Sequence, residues 1–191
     1  MREWRIIAYD SLMHYSFAPI VDWDSEVLIL GTLPGPESLR AGQYYANPNN
    51  QFWRIIHLVF NEVYNEVYNE EAIRPAYNEK VKFLLDRRIA LWDVFYSAQR
   101  VGALDADIRN ETPNDIAGLV HQYPGITRIL LNGKTAEKAY RKHFSAVSVK
   151  AVYVPSTSPA YAKMPLADKI NAWNAALTSS SLFDGAPARR P

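Results

Sequence analysis

Four apolar runs divide the chain, and each of them stops at a turn-forming or polar residue. An uninterrupted apolar run of this length is typical of a strand that is buried on both faces of a parallel sheet. The runs are EVLILG (26–31), RRIALWDVF (87–95), ITRILLNG (126–133) and VKAVYVPSTSP (149–159). The pattern therefore predicts a central sheet of about four strands, mainly parallel.

Segments with helical periodicity lie between and after these runs. They are NQFWRIIHLVF (50–60), YNEKVKFLLDRR (77–88), NDIAGLVHQY (114–123), KTAEKAYRKHF (134–144) and MPLADKINAWNAALTSS (164–180). Alternating strands and helices predict the α/β class, here a three-layer αβα sandwich around the four-stranded sheet. Because such sheets bind ligands at the carboxyl ends of their strands, we expect the loops after Gly31, Asp93, Gly133 and Pro155 to form one rim.

Length and composition narrow the classes of protein that fit. A chain of 191 residues fits one domain, which we place at residues 1–178, and the Ser-, Pro- and Gly-rich residues 179–191 predict a flexible tail. Cysteine is absent, which excludes disulfides, thiolate nucleophiles and cysteine-ligated metals. A net charge of +1 gives no general basic coat for nucleic acid. Without a long apolar run or a charged leader, we expect a cytoplasmic protein with no membrane contact.

The loop after the first run combines glycine, proline, asparagine and paired tyrosines. Its GTLPG turn (31–35) resembles a phosphate cradle, because glycine lets backbone amides approach an anion. Neither a dinucleotide fingerprint nor a phosphate-binding P-loop motif is present, so we expect no nucleotide cofactor. The asparagines of the NPNN segment (47–50) are equally typical of turns and helix caps.

Four ordered motifs together resemble the uracil-DNA glycosylase superfamily, and specifically its hypoxanthine-DNA (deoxyinosine) glycosylase branch. They are LILGTLPGPESLRAGQYYANPNNQFW, RRIALWDVFYSAQRVGALDADI, ILLNGKTAEKAY and VPSTSPAYA, and the resemblance covers roughly Phe17 to Thr178. It implies a monofunctional enzyme that hydrolyses the N-glycosidic bond of deaminated bases in DNA. Hypoxanthine is the expected base, with uracil or xanthine as further candidates.

The resemblance places the catalytic group at an asparagine. The third residue of the GTLPG turn, within the first motif, is a catalytic Asp or Asn in other branches. Here it is Leu33, which can neither orient water nor accept a proton. In the hypoxanthine branch the catalytic Asn lies further along, and Asn50 holds that place in the NPNN segment. Asn47 is the second candidate.

The resemblance also implies a base pocket and a DNA-contacting loop. Tyr45 occupies the position that stacks the extruded base, although a core aromatic is the alternative. Asp93 would accept an N–H from hypoxanthine, or instead cap the following turn. The implied base-binding residues are Gly31, Leu33, Tyr45, Phe52 and Asp93, and the implied DNA contacts are Pro34, Gly35, Ser156, Thr157, Ser158, Pro159 and Tyr161. A wedge that fills the vacated stack would come from Pro159, Ala160 or Tyr161.

Other chemistry finds little support in the sequence. The four histidines are scattered without metal-ligand spacing, and no G-x-S-x-G elbow exists, so we expect neither a metal nor a cofactor. A basic run on one helix, Lys134 to Lys142, predicts a solvated face with phosphate contact as the alternative. We expect a monomer acting on double- or single-stranded DNA near the nucleoid. The competing interpretations are a non-catalytic nucleic-acid or nucleotide binder that kept the fold, and a binder of a phosphorylated small molecule at the GTLPG turn.

Overall fold

The computed structural model describes residues 13–64, 76–100, 102, 104 and 107–178, which contain seven strands and six helices. The strands are β1 (Met13–Tyr15), β2 (Val27–Gly31), β3 (Ile89–Asp93), β4 (Phe95–Arg100), β5 (Ile108–Pro113), β6 (Arg128–Asn132) and β7 (Lys150–Val154). The helices are α1 (Pro36–Ala41), α2 (Phe52–Tyr64), α3 (Tyr77–Leu85), α4 (Ile116–Gln122), α5 (Lys134–His143) and α6 (Leu166–Thr178).

The central sheet has four parallel strands in the order β3-β2-β6-β7, as the four apolar runs predicted. Every residue of β2 and β6 is buried, because helices cover both faces of the sheet. The pairing sets Gly31 beside Asp93 and Asn132 beside Val154. The carboxyl ends of the four strands therefore lie in one row along one edge.

Two apolar clusters lie on opposite faces of this sheet. On one face Val27, Ile29 and Leu91 pack with residues of α2, α3 and α6. On the other face Leu28 and Leu30 pack with residues of α4 and α5. The alternation follows from the two-residue period of a strand, and it confirms the three-layer αβα architecture.

A second sheet of three antiparallel strands, in the order β1-β4-β5, was not predicted. The segment RRIALWDVF was taken as one strand, but β3 ends at Asp93 and the chain enters the second sheet at Phe95. Strand β5 has the sequence IRNETP and is largely solvent-exposed. It has no apolar run, so the feature that revealed the central strands is missing there.

Two sequence predictions fall partly or wholly outside the described residues. The repeat NEVYNEVYNE (61–70), whose composition predicts a helical or solvated surface insert, begins within α2, and the part of it after Tyr64 lies beyond the described residues. Residues 179–191, predicted to be a flexible tail, also lie outside the described residues.

Candidate active site

A cavity of about 350 Å³ opens at the carboxyl edge of the central sheet. This volume lies within the range of small-molecule pockets, roughly 300–1,000 Å³. The loops after β2 and β7 line it together with the last residues of β3 and β6, Asp93 and Asn132, whereas the loop after Gly133 lines an adjoining cavity. Twelve of the predicted site residues line it: Gly31, Leu33, Pro34, Gly35, Tyr45, Asn47, Asn50, Asp93, Ser156, Thr157, Ser158 and Pro159. The other two, Phe52 and Tyr161, lie elsewhere.

The floor of the cavity is formed where Gly31 lies beside Asp93. A Cβ added to Gly31 would lie 2.5 Å from Asp93 Oδ1 and 3.0 Å from the Tyr45 hydroxyl oxygen. Only glycine therefore lets both polar groups approach the end of β2 so closely. Asp93 is 4% exposed, and its Oδ2 accepts a hydrogen bond of 2.9 Å from Ser16 Oγ. Ser16, which follows β1, therefore holds Asp93 Oδ2, while Asp93 Oδ1 lies next to Gly31.

The Asp93 carboxylate also affects a neighbouring tyrosine. Burial raises the pKa of the Tyr44 hydroxyl well above its usual range, and the negative charge of Asp93 raises it further. Tyr44 therefore stays protonated, with its hydroxyl 3.4 Å from the carbonyl oxygens of Phe17 and Ala18. It forms part of the cavity wall as a neutral group.

Tyr45 lies between the cavity and the core. Its ring stacks on that of Phe52 with centroids 4.0 Å apart and planes 18° apart, and Phe52 is fully buried. Phe52 therefore supports Tyr45 from behind, which differs from the direct base contact expected from the sequence. Because one ring face is covered, Tyr45 offers its other face or its edge to the cavity. Its φ of 54° lies in the left-handed region that bulky residues rarely adopt.

Asn50 and Asn47 lie together on the cavity wall, where both also organise the backbone. Asn50 Oδ1 accepts a hydrogen bond of 3.0 Å from the N–H of Phe52 at the start of α2. Asn47 Oδ1 accepts one of 2.8 Å from the N–H of Asn49. A carbonyl oxygen has two lone pairs, so the Asn50 oxygen can accept a second donor. The capping and catalytic interpretations of Asn50 are therefore compatible.

Asn132, at the end of β6, is the site residue that sequence analysis missed. It is 9% exposed, and its NH₂ group donates to the Tyr45 hydroxyl and to Thr157 Oγ1, each at 3.0 Å. Its Oδ1 accepts the N–H of Thr157, also at 3.0 Å. Asn132 ends a buried strand just as Asp93 does, and this position at the end of an apolar run is the signal in the sequence that could have found it.

Thr157 is held inside the protein by these bonds. It is 1% exposed, and its carbonyl oxygen accepts the N–H of Gln51 at 2.9 Å. The side chain of Gln51 in turn accepts from the buried Lys169 of α6, whose ammonium also donates to the carbonyl of Tyr161, both at 2.8 Å. Thr157 thus joins the two loops on either side of the cavity, and Ser156 and Ser158 are left as its more accessible neighbours.

Two further lining residues come from the unpredicted second sheet and its connection. Arg100 ends β4, is 2% exposed, and donates from Nη2 to the carbonyl oxygen of Pro34. This buried cation fixes the turn after β2. Leu104 also lines the cavity and is 52% exposed.

Tyr161 lines an adjoining cavity of about 280 Å³ with Lys134 at the start of α5. The Lys134 ammonium lies 4.1 Å from the centroid of the Tyr153 ring and forms an ion pair of 2.8 Å with Glu137. Hydrogen bonds from Lys134 and Arg141 lower the pKa of the Glu137 carboxyl group. Arg141 pairs with the same carboxylate at 3.0 Å. The basic run is thus a solvated helix face with local ion pairs.

Histidine and metal chemistry find no assembled site in the described part of the chain. No group of three or more His, Asp or Glu residues there has metal-ligand geometry. His57 lies in the helical layer, where Nδ1 is 2.7 Å from the carbonyl oxygen of Trp53 and the ring stacks on Phe83. Burial lowers the pKa of the His57 imidazole, so the ring remains a neutral packing group.

Within the described residues, no helix has both the length and the apolarity to cross a membrane.

The chain is similar in sequence and in fold to known DNA glycosylases. A profile of the Uracil DNA glycosylase superfamily matches residues 18–177. A protein of Methanosarcina acetivorans named hypoxanthine DNA glycosylase is 37% identical over 75% of this chain and 85% of its own length. One of the same name from Methanosarcina barkeri is 36% identical over 62% of this chain and 70% of its own length. A solution NMR structure of a Methanosarcina acetivorans protein provisionally assigned as a uracil DNA glycosylase superposes with a TM-score of 0.73. It is 33% identical, covering 86% of this chain and 96% of that one.

Fold and cavity together define a three-layer α/β enzyme with a polar pocket at the carboxyl edge of its parallel sheet. The chain belongs to the uracil DNA glycosylase superfamily. It is a DNA glycosylase, and DNA is its substrate, as the sequence resemblance implied.

Proposed function

We propose that this protein excises hypoxanthine from DNA, with xanthine and uracil as further candidate bases. The observation that carries the proposal is the shared cavity, in which the amide of Asn50 and the carboxylate of Asp93 lie on the wall and floor. The names of the two Methanosarcina relatives support hypoxanthine as the first base to test. The buried Leu33 lines the cavity where other branches carry a catalytic Asp or Asn, so the amide of Asn50 takes the catalytic role in this proposal.

The reaction requires a water molecule to attack the anomeric carbon while the base departs. Positive charge develops on the sugar and negative charge on the departing purine, so fixed dipoles are the main source of stabilisation. Asn50 holds the water through the free lone pair of Oδ1, and the bond from the Phe52 N–H fixes its orientation. The water oxygen joins the sugar, and the base leaves with the bonding electron pair and takes up a proton. Asn47, on the same wall, is the alternative water-holding residue.

Asp93 recognises the edge of the everted base before the bond is cleaved. Its carboxylate accepts an N–H, which hypoxanthine has at N1 and adenine lacks. Gly31 and Tyr45 complete the pocket around that edge, with Phe52 as the support of the Tyr45 ring. The bond from Ser16 Oγ fixes the orientation of the carboxylate.

The DNA strand lies across the mouth of the cavity. The turn at Pro34 and Gly35 lies on one side and the loop with Ser156, Ser158 and Pro159 on the other, where small residues allow close approach to the backbone. Thr157 fixes that loop from inside, and Tyr161 contacts the strand from the adjoining cavity. Of the exposed residues at the mouth, Leu104 has the apolar bulk of a wedge, with Pro159 and Ala160 opposite it.

The enzyme is monofunctional in this proposal. A lyase step requires an amine that forms a Schiff base with the sugar, and no lysine is among the described residues lining the cavity. The products are therefore an abasic site and a free base.

We also propose one catalytic unit over residues 1–178 that works as a monomer on nucleoid DNA in the cytoplasm. Light scattering of the protein alone and bound to duplex tests the monomer.

An oligonucleotide assay tests the function. Duplexes with a single inosine, uracil, xanthine or mismatched thymine are incubated with the protein and then cleaved at abasic sites with alkali. We expect scission at inosine, and a loss of about 10²-fold or more in single-turnover rate for Asn50→Ala. Asn49→Ala is the matched control, because Asn49 is exposed and does not line the cavity. The Asn47→Ala rate identifies which of the two asparagines holds the water.

Two results would contradict the proposal. No scission at any lesion by folded protein would favour the non-catalytic binder, which electrophoretic mobility shifts with the same duplexes would then detect. A wild-type rate for Asn50→Ala would remove the amide mechanism while leaving the enzyme class intact.

A further inference from the structure

One face of α6 holds both ends of the loop formed by residues 155–161, which contributes residues to the cavity wall. The indole N–H of Trp173 donates to the carbonyl oxygen of Pro155 at 2.9 Å. The ammonium of Lys169 donates to the carbonyl oxygen of Tyr161 at 2.8 Å. Because Lys169 and Trp173 are one helical turn apart, both side chains leave α6 on the same face. Helix α6 therefore fixes where this loop begins and where it ends.

The Lys169 ammonium also reaches the segment on the other side of the cavity. It donates to Gln51 Oε1 at 2.8 Å, and the backbone N–H of Gln51 donates to the carbonyl oxygen of Thr157 at 2.9 Å. Gln51 directly follows Asn50, whose Oδ1 accepts the N–H of Phe52. Lys169 is therefore bonded both to the segment that carries Asn50 and to the loop 155–161.

Packing alone does not account for a lysine at this position. Lys169 is 1% exposed, and among the residues that the structure describes no carboxylate lies within ion-pair distance of its ammonium. Burial lowers the pKa of this ammonium. Burying a cation without a counter-charge costs more free energy than burying an apolar side chain of similar volume, such as methionine. The position is thus one where lysine is kept for something other than stability.

We propose that Lys169 is a positioning residue that sets the distance between the Asn50 segment and the loop 155–161, an inference that rests on the proposed function. The loop holds the DNA strand and Asn50 holds the water, so this distance decides whether the water reaches the anomeric carbon. Without the ammonium, Gln51 Oε1 and the Tyr161 carbonyl lose their shared donor, and the two segments can move apart. Lys169 contacts neither base nor sugar and acts through Gln51.

A double-mutant cycle tests positioning through Asn50. Single-turnover excision of hypoxanthine from duplex DNA is measured for Lys169→Met and Asn50→Ala, singly and combined, with thermal unfolding on the same samples. We expect Lys169→Met to slow excision by about 10- to 100-fold, because misplacement of a positioned group by about 1 Å costs up to about 10²-fold. In the Asn50→Ala background the same substitution should change the remaining rate by less than about threefold, since the side chain that it positions is gone.

Chemical rescue separates the ammonium from the shape of the side chain. The chain has no cysteine, so Lys169→Cys provides a single thiol, which is alkylated in denaturant before refolding. The thiolate displaces bromide from 2-bromoethylamine or iodide from 1-iodopropane, which gives thioethers of similar length that end in an ammonium or a methyl group. We expect the ammonium form to recover most of the lost rate and the propyl form to stay as slow as Lys169→Met. Wild-type protein taken through the same treatment controls for refolding.

Leu177→Ala is the control for lost stability. Leu177 is buried in the same helix about two turns beyond Lys169 and lines neither of the two cavities described above. It should lower the unfolding temperature but keep the excision rate at a temperature where the protein is fully folded.

Three results would overturn the proposal: a wild-type rate for Lys169→Met, an equal fractional loss in the Asn50→Ala background, or equal rates for the two alkylated forms. Absence of hypoxanthine excision by the wild-type protein would instead refute the proposed function, so the two failures are distinguishable.

Discussion

Gly31→Ala adds a single methyl group at the most tightly packed point of the cavity floor. The new carbon would lie 2.5 Å from Asp93 Oδ1 and 3.0 Å from the Tyr45 hydroxyl, and contacts this short are strongly repulsive. The backbone cannot easily yield, because Gly31 ends a central strand and its carbonyl accepts the N–H of Val94 at 2.9 Å. Asp93 or Tyr45 must therefore move, by roughly half an ångström or more.

The size of the effect follows from this overlap. Overpacking of a dense site costs about 1–3 kcal/mol of unfolding free energy. For a domain of this size that lowers Tm by roughly 2–4 °C per kcal/mol, so the variant should still fold. Misplacement of a positioned group by about 1 Å lowers a reaction rate by on the order of 10²-fold. We expect hypoxanthine excision by Gly31→Ala to fall by about 10- to 100-fold at a temperature where the protein is fully folded.

The assay is single-turnover excision of hypoxanthine from duplex DNA, with thermal unfolding measured on the same samples. Asn49→Ala is the control, because Asn49 is exposed and does not line the cavity. It should keep its rate to within about threefold, the typical scatter for a substitution worth under 0.5 kcal/mol. Equal rates for Gly31→Ala and wild type would show that the close approach of Asp93 and Tyr45 is not needed for catalysis.

Three further outcomes are expected. Thr157→Val removes one acceptor of Asn132, and calorimetry should show a loss of about 1–3 kcal/mol; no loss would contradict the importance of that bond. Leu104→Ala should slow excision from duplex but not from single-stranded DNA, since only a duplex needs a wedge; equal slowing of both would exclude that role. Burial lowers the pKa of His57 below its usual 6.5, so below about pH 6.5 the unfolded chain binds a proton that the fold does not. Stability should therefore fall on acidification from pH 7.5 to 5.5, and less in His57→Phe; an identical fall would mean that other groups cause it.

The central sheet was predictable because the sequence of each strand indicates by itself that the strand is buried. Leu28, Ile29 and Leu130 lie in continuous apolar runs that only a doubly covered sheet can bury, and the order of motifs supplied the family. The polar strand β5 gave no such pattern, because its residues are exposed or half-buried and it is held by pairing with β4 and by the ion pair of Glu111 with Lys142. Antiparallel edge strands of this kind depend on distant partners more than on their own composition.

The candidate site was predictable in position but not in its bonding. Asn50 and Asp93 were assigned through the family resemblance, which the NPNN segment and the RRIALWDVF run help to carry. The bond from Asn132 to Tyr45 joins residues 87 positions apart, and no local pattern specifies such a contact. Phe52 illustrates the same limit, because its neighbour Asn50 faces the cavity while the helix turns Phe52 into the core.

The left-handed backbone at Tyr45 has a consequence for laboratory evolution of this enzyme. Holding a non-glycine residue in that conformation costs about 1–2 kcal/mol, which Asn or Gly at the same position would largely recover. The side chain offsets this cost, because its ring packs on Phe52 and its hydroxyl accepts the Asn132 amide, contacts whose loss costs about 3–5 and about 1–3 kcal/mol. Selection for thermostability alone should therefore retain Tyr45 in spite of its strained backbone.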